Sequence, residues 1–461
     1  MRSYTTNWSR GGAFPRLRLF LFSLCLTAGF QVMLSCRTMA DYNYLRIDSN
    51  LQKGKYDEVL AELESNAAQI YGIHDDLLAE LDRGIILHFN KNPLDSNKSL
   101  GAAEKLALKY GAKSVTQSIA SSVTNDTVKD YAGEDFENIY TNIFMALNYI
   151  QLNEFDEAMV EVRRFDNKIK QLRAKYEEEV RNQDGASKDV KVEKHYSRFT
   201  DSALGRYLSM LMYRTDGDMD NAGVDLRYLK DAYSKQPALY DFACPSSVDQ
   251  ELTYRPSKNA ATARLNVLAF SGMAPVKKEE VIRAYYGPSV WYKLALPVMK
   301  KNESKINRIQ VVAKNDKTGQ TYQGDLQKIE SLENISIDTF GQAYSILYTK
   351  ALIRSIARAV TNSTLSTLSN EASHQDNAGA ALILMTFDIA HKMATELVER
   401  ADVRSCRYFP AAASVTGLSV ESGTYTVTVN YYNGRHLLFS ESRSQKVSSD
   451  TLNLVESSCL R

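Results

Sequence analysis

The chain is poor in the residues that build most catalytic and metal centres. Among 461 residues there are five cysteines, six histidines and two tryptophans. No Cys-x-x-Cys pair or Cys/His cluster occurs, so neither a structural zinc site nor a redox dithiol is encoded. There is no His-Glu-x-x-His, no phosphate-cradling G-x-x-x-x-G-K-[ST] loop, and no assignable Ser/His/Asp or paired-carboxylate arrangement. An excess of one charge is also missing: 56 Lys and Arg stand against 55 Asp and Glu, a net +1. That balance suggests no nucleic acid or other polyanion as a partner overall. No apolar run is long enough to cross a bilayer comfortably. What remains is ordinary globular composition, 44% hydrophobic and 24% charged, with room for two or three domains. The expectation is a non-enzymatic protein without a metal, cofactor or bound nucleic acid.

The N-terminus is the most specific signal present. Residues 1–35 carry Arg2, Arg10, Arg16 and Arg18 and no acidic residue. An apolar run from Leu19 to Phe30 follows, broken only by Ser23, Thr27 and Gly29, with the length of a signal-peptide core. Removing the leader changes the formal charge from +1 to 1 − 4 = −3. Val32-Met33-Leu34-Ser35-Cys36 resembles the lipobox of bacterial lipoproteins. The resemblance implies cleavage between Ser35 and Cys36, with Cys36 taking palmitate-like acyl chains that attach the protein to a membrane. Arg37 stands where aspartate would favour retention in the inner membrane, which leans the location towards the periplasmic face of the outer membrane. Residues 36–46 then form a polar tether.

Residues 47–243 read as a helical domain. Its clearest stretch runs from Gly133 to Arg173. Phe136, Tyr140, Ile143, Phe144, Leu147 and Ile150 recur at spacings of three and four, and Met159, Val162, Phe165, Ile169 and Leu172 continue the pattern after a turn. Turns of one local type begin at Gly54, Asn92, Asn153 and Gly217, each between amphipathic segments. This is similar to the inter-helix turn of tetratricopeptide repeats, with intervals far from a strict ~34-residue period. Helix pairs of this kind cannot bury their apolar faces alone and stack into an array. The array is expected to bind a protein or peptide along its concave face.

From residue 244 to 461 the texture becomes mixed. Leu265–Phe270, Leu294–Val298, Ile306–Ala313 and Thr321–Tyr322 read as strands. Lys277 and Lys278 fall in an expected exposed loop and offer a weak anion site. Tyr425, Val427, Val429 and Tyr431 alternate on one strand face, and Asn433-Gly434 predicts a terminal hairpin. The fold expected is α+β: a TPR-like helical array, then a mixed domain with a small antiparallel sheet or sandwich. Between these strands, Lys350, Arg354 and Arg358 lie at i, i+4 and i+8 on a helical stripe, a candidate contact for carboxylates or lipid headgroups unless simply solvated. Cys406 and Cys459 would belong to one small β-rich unit, so either they pair to pin the C-terminal tail or Cys244, Cys406 and Cys459 are all reduced.

Several further segments carry a family resemblance: Gly133-Glu134-Asp135-Phe136, Glu161-Val162-Arg163-Arg164 with Asp166, Gly272-Met273-Ala274-Pro275-Val276-Lys277, Leu296-Pro297, and Glu399-Arg400-Ala401-Asp402-Val403-Arg404 leading to Phe409-Pro410. With the lipobox, they make the chain resemble a family of bacterial envelope lipoproteins with tetratricopeptide-like N-terminal helices and mixed α/β C-terminal regions. The resemblance implies a membrane-anchored scaffold for envelope assembly or maintenance, with a protein or peptide partner. It also implies an aromatic residue where Cys406 stands. The rival reading is a hydrolase or transferase acting on cell-wall polymer from the C-terminal half.

Overall fold

Amphipathic periodicity forms helices through the first half of the chain. The computed structural model describes residues 42–116, 129–184, 196–255, 257, 262–286, 290–344 and 400–461. It begins with α1 (Leu45–Leu51), α2 (Tyr56–Ser65) and a single turn, α3 (Ala67–Ile70). Three helix pairs follow: α4 (Asp76–Phe89) with α5 (Pro93–Thr116), α6 (Asp135–Gln151) with α7 (Phe155–Asp184), and α8 (Ala203–Thr215) with α9 (Met219–Lys235). A short α10 (Val248–Glu251) leads into the strands. Ser35, Cys36, Lys350, Arg354 and Arg358 lie outside the described residues.

Three of the four expected turns use one backbone device. Gly54, Asn153 and Gly217 take φ of 68°, 60° and 80°, each two residues before the next helix begins. At the fourth, the left-handed residue is Lys91 at φ 59°, not Asn92. Proline supplies the reason: Pro93 opens α5 and forces its predecessor towards extended backbone, so the reversal shifts one residue earlier. Asn92 becomes a capping residue, its Oδ1 accepting from the Asp95 N–H at 3.4 Å while its Nδ2 donates to Asp95 Oδ2 at 2.9 Å.

The sheet corrects the expectation of a small one. Seven strands pair in the order β8-β7-β4-β5-β6-β1-β9. In chain order these are β1 (Thr262–Met273), β4 (Arg308–Asn315), β5 (Thr321–Ser331), β6 (Pro410–Glu421), β7 (Gly423–Asn433), β8 (His436–Val447) and β9 (Asn453–Cys459). The β1–β9 pair is parallel and the other pairs are antiparallel, so the sheet is mixed. Its edges curl towards one another. Ser457 Oγ on β9 donates to Glu441 Oε2 on β8 at 2.6 Å, and Arg443 Nη2 donates to Leu454 O at 3.3 Å. A separate hairpin, β2 (Val276–Tyr286) with β3 (Val290–Lys300), rises between β1 and β4 without bonding to the large sheet.

Strand alternation divides β1 between two cores. Leu268 and Phe270 face the helices, while Leu265, Val267 and Ala269 face the inside of the curled sheet with Val311, Val427 and Val429. The helix-side core runs without a break from α1 to Leu460. Phe144 of α6 stacks on Phe270 at 5.3 Å and meets Phe409 edge-on at 5.6 Å, and Phe89 of α4 meets Phe270 at 6.0 Å. The boundary at 243/244 therefore separates kinds of element but not hydrophobic cores. The first helix of each pair packs between its partner and the sheet.

The cysteine bridge is also corrected. Cys244, Cys406 and Cys459 are free thiols. Cys406 lies in the core between helices and sheet, Cys459 in the core within the curled sheet. They belong to different hydrophobic cores, one on each side of the sheet. Burial pushes the Cys459 thiol up to about 12 and the Cys406 thiol well above its ordinary range.

Candidate functional site

Three of the motif segments that stand far apart in sequence meet at one place: the start of α6, the start of β2 and residues 400–410 ahead of β6. Helix α6 begins at Asp135. Glu137, three residues after the N-cap Glu134, reaches back so that the Glu134 N–H donates to its Oε2 at 2.9 Å. Tyr131 Oη donates to the same oxygen at 2.6 Å, and the Cys406 N–H donates to Glu137 Oε1 at 2.7 Å. The carboxyl thus ties a helix start to the strand-bound segment. Glu137 is fully buried, and burial, reinforced by the neighbouring charge of Glu134, pushes its carboxyl up to about 7.

Lys277 reverses its expected setting. It lies on β2, 7% exposed, with its ammonium paired to Glu134 and set 5.6 Å over the Tyr131 ring. Burial alone would lower its pKa; the charges of Glu134 and Asp402 outweigh that and raise it. Arg404 forks onto Asp402, Nη2 to Oδ2 at 2.7 Å and Nε to Oδ1 at 2.9 Å. It also donates to Asp75 Oδ1 and to the Lys129 carbonyl, both at 3.0 Å. Burial pushes the Asp402 carboxyl up, but Lys277 and Arg404 outweigh it and hold it below the ordinary carboxylate range. The Ala401 N–H donates to Glu279 Oε2 at 2.7 Å, and the Ala274 N–H to the Phe409 carbonyl at 2.8 Å. Phe136 meets Phe409 at 5.7 Å.

A second polar group adjoins it. Asp82 of α4 accepts from Tyr71 Oη at 2.9 Å, and burial pushes its carboxyl up to about 7. Around it the buried Tyr44 and Tyr408 hydroxyls, Asp82 Oδ1 and Arg407 Nε find no hydrogen-bond partner among the described residues. Glu161 and Asp166 belong elsewhere: Glu161 accepts from Asn142 Nδ2 at 2.6 Å, and Asp166 pairs with Arg206 at 2.9 Å, both between helices.

Two more buried carboxylates join helices to sheet. Glu330 on β5 accepts from Tyr140 Oη, Ser202 Oγ, Tyr240 Oη and the Leu204 N–H at the start of α8. Glu456 on β9 meets His88 Nε2 at 2.8 Å and Lys91 at 3.4 Å. Burial pushes the Glu456 carboxyl up, but His88 and Lys91 outweigh it and hold it far below the usual range. No hydrophobic pattern marked these residues. At the junction, the sequence offered only the three motif segments themselves, with no sign that they meet. Among the described residues, no group of three or more His, Cys, Asp or Glu is placed to hold a metal ion, and no helix is long and apolar enough to cross a membrane. Comparison with known protein families, with curated proteins and with solved structures finds no match.

Proposed function

We propose that this chain is a lipid-anchored binding protein of a bacterial envelope, held by acyl chains on Cys36, and that its helix pairs are a degenerate TPR-like array used as a scaffold. One observation carries the non-catalytic part of this reading. Four ionisable residues of the motif segments, Glu134, Lys277, Asp402 and Arg404, form two ion pairs, buried or half-buried, where three segments meet. An active site needs such groups aimed at a space a substrate can enter.

Because the strands cover the inner helices, a protein or peptide partner meets the outer ones. A shallow depression of about 360 Å³ lies on α9, lined by Val224, Arg227, Tyr228, Lys230 and Asp231. Tyr228 is 46% exposed there and sits under Arg206 at 4.9 Å, an arrangement suited to an amphipathic contact. The test is co-purification from membranes after mild crosslinking, with a Tyr228→Ala chain beside the unaltered one. A stoichiometric envelope protein lost with Tyr228→Ala is expected. Recovery of no partner, together with turnover of cell-wall fragments by the purified protein, would falsify the scaffold reading in favour of a cell-wall hydrolase or transferase.

A further inference from the structure

We propose that the end of the helical stack where the chain enters lies on the bilayer, with Leu45 and Ile73 set into its headgroup layer. The inference rests on the reading of Cys36 as the anchor. Tyr42 is six residues after Cys36. An extended chain spans at most about 3.6 Å per residue, so Tyr42 stays within ~22 Å of the acylated cysteine. Short turns reverse the chain between paired helices, which gives the stack two ends. One end collects the left-handed turns. Lys91 and Gln151 both reach Glu456, at 3.4 and 3.3 Å, and Asn90 Nδ2 donates at 2.7 Å to Asp57, just past the Gly54 turn. The other end collects the starts of α1, α4 and α6. There Tyr42 Oη donates to Glu62 Oε1 at 3.2 Å, the Tyr131 N–H donates to the His74 carbonyl at 2.8 Å, and His74 Nδ1 lies 3.0 Å from Asp130 Oδ1.

That second end carries the two most exposed large apolar side chains among the described residues, Ile73 at 85% and Leu45 at 75%. Leu45 opens α1, whose Ile47 and Leu51 are buried and hold the helix to the core. Ile73 stands in the loop ahead of α4. Two residues before it, Tyr71 bonds to Asp82, the group that Tyr44 also borders. Both apolar side chains therefore project from backbone that is tied down on its inner side. The Arg46 side chain beside Leu45 is 78% exposed, a cation on an apolar stem of the kind that settles at a membrane surface. The opposite orientation fails on length. Helix α4 has 14 residues, about 21 Å at 1.5 Å per residue. Setting the turn end on the membrane would lift Tyr42 by nearly the full reach of the tether. The anchor holds a bilayer beside the entry end at high effective concentration, which favours lipid over a second copy or another protein as the occupant.

The test places a photo-crosslinking amino acid at position 45, 73 or 94 of the full chain in its membrane. Leu94 is the control: it is 66% exposed on α5, three residues after the left-handed Lys91, at the turn end. All three positions are exposed, so the substitutions leave the core untouched. Phospholipid adducts are expected at 45 and 73 and none at 94. In the same samples, the mass of the N-terminal peptide reads the acyl chains on Cys36, so anchor and orientation are scored separately. Acylated chains that capture no more phospholipid at 45 and 73 than at 94 overturn the inference while the anchor stands. An envelope protein captured at 45 and 73 in place of phospholipid overturns it as well. A peptide mass without acyl chains removes the anchor, and the inference falls with it.

Discussion

Glu137 takes the backbone N–H of Cys406, and Asp82 takes the hydroxyl of Tyr71. Burial pushes both carboxyls up to about 7, whereas an unfolded chain releases those protons near pH 4. The folded state therefore holds protons that the unfolded state has lost. Stability from this pair is fully present below about pH 4 and declines as the pH rises to about 7. Asp402 and Glu456 work in the opposite sense. Their folded carboxyls are held low, so their contribution is present above the unfolded value and disappears as the medium is acidified. Asp82→Asn is predicted to flatten the decline between about pH 4 and 7, recovering on the order of 1–4 kcal/mol at neutral pH. Urea unfolding at a series of pH values checks this, and a slope unchanged from that of the parent chain would contradict it.

At the scale of elements, the closest constraint lies where α10 meets β6. Glu251 is buried between Arg214 and Arg264, accepting from Arg264 Nη2 at 2.7 Å and from Asn266 Nδ2 at 2.8 Å. Gly417 is the β6 residue in register with Asn266 of β1. A Cβ added there would stand 2.2 Å from Glu251 Oε1 and 2.5 Å from Arg264 Nη2. Neither group can withdraw without leaving a buried charge unpaired. Gly417→Ala is therefore predicted to destabilise by about 3–5 kcal/mol, the cost of breaking a buried ion pair. Chemical denaturation of the purified variant measures the loss, and a change below about 1 kcal/mol would mean that the strands part easily at this crossing.

For the whole molecule, the continuous core predicts one cooperative unit. Phe89 and Phe144 are buried against Phe270 and Phe409, and each fully buried large apolar side chain contributes about 1.5–3 kcal/mol. A fragment of residues 47–243 would expose those rings and leave Tyr140, Ser202 and Tyr240 without Glu330 as their acceptor. Such a fragment is expected to lack a cooperative thermal transition, followed by circular dichroism, whereas the intact chain unfolds in a single step. A fragment that melts cooperatively near the temperature of the parent would show that the helices form an independent domain.

Local periodicity alone determined much of this molecule. The three- and four-residue spacing from Phe136 to Ile150 set α6 and its apolar face, and strict alternation from Tyr425 to Tyr431 set β7 and the side it buries. Gly54, Asn153 and Gly217 marked their turns because few residues tolerate left-handed backbone. Tertiary structure decided how the pieces are used. Lys277 reads as a solvated lysine beside a turn until α6 brings Glu134 to it. Cys406 and Cys459 read as neighbours until the sheet puts them on its two sides. Strand order has no local signature either: the parallel partner of β1 is the final strand, β9, and that pairing joins segments nearly two hundred residues apart. Periodicity is a property of a few adjacent residues, whereas an ion pair or a strand neighbour depends on which distant segment arrives.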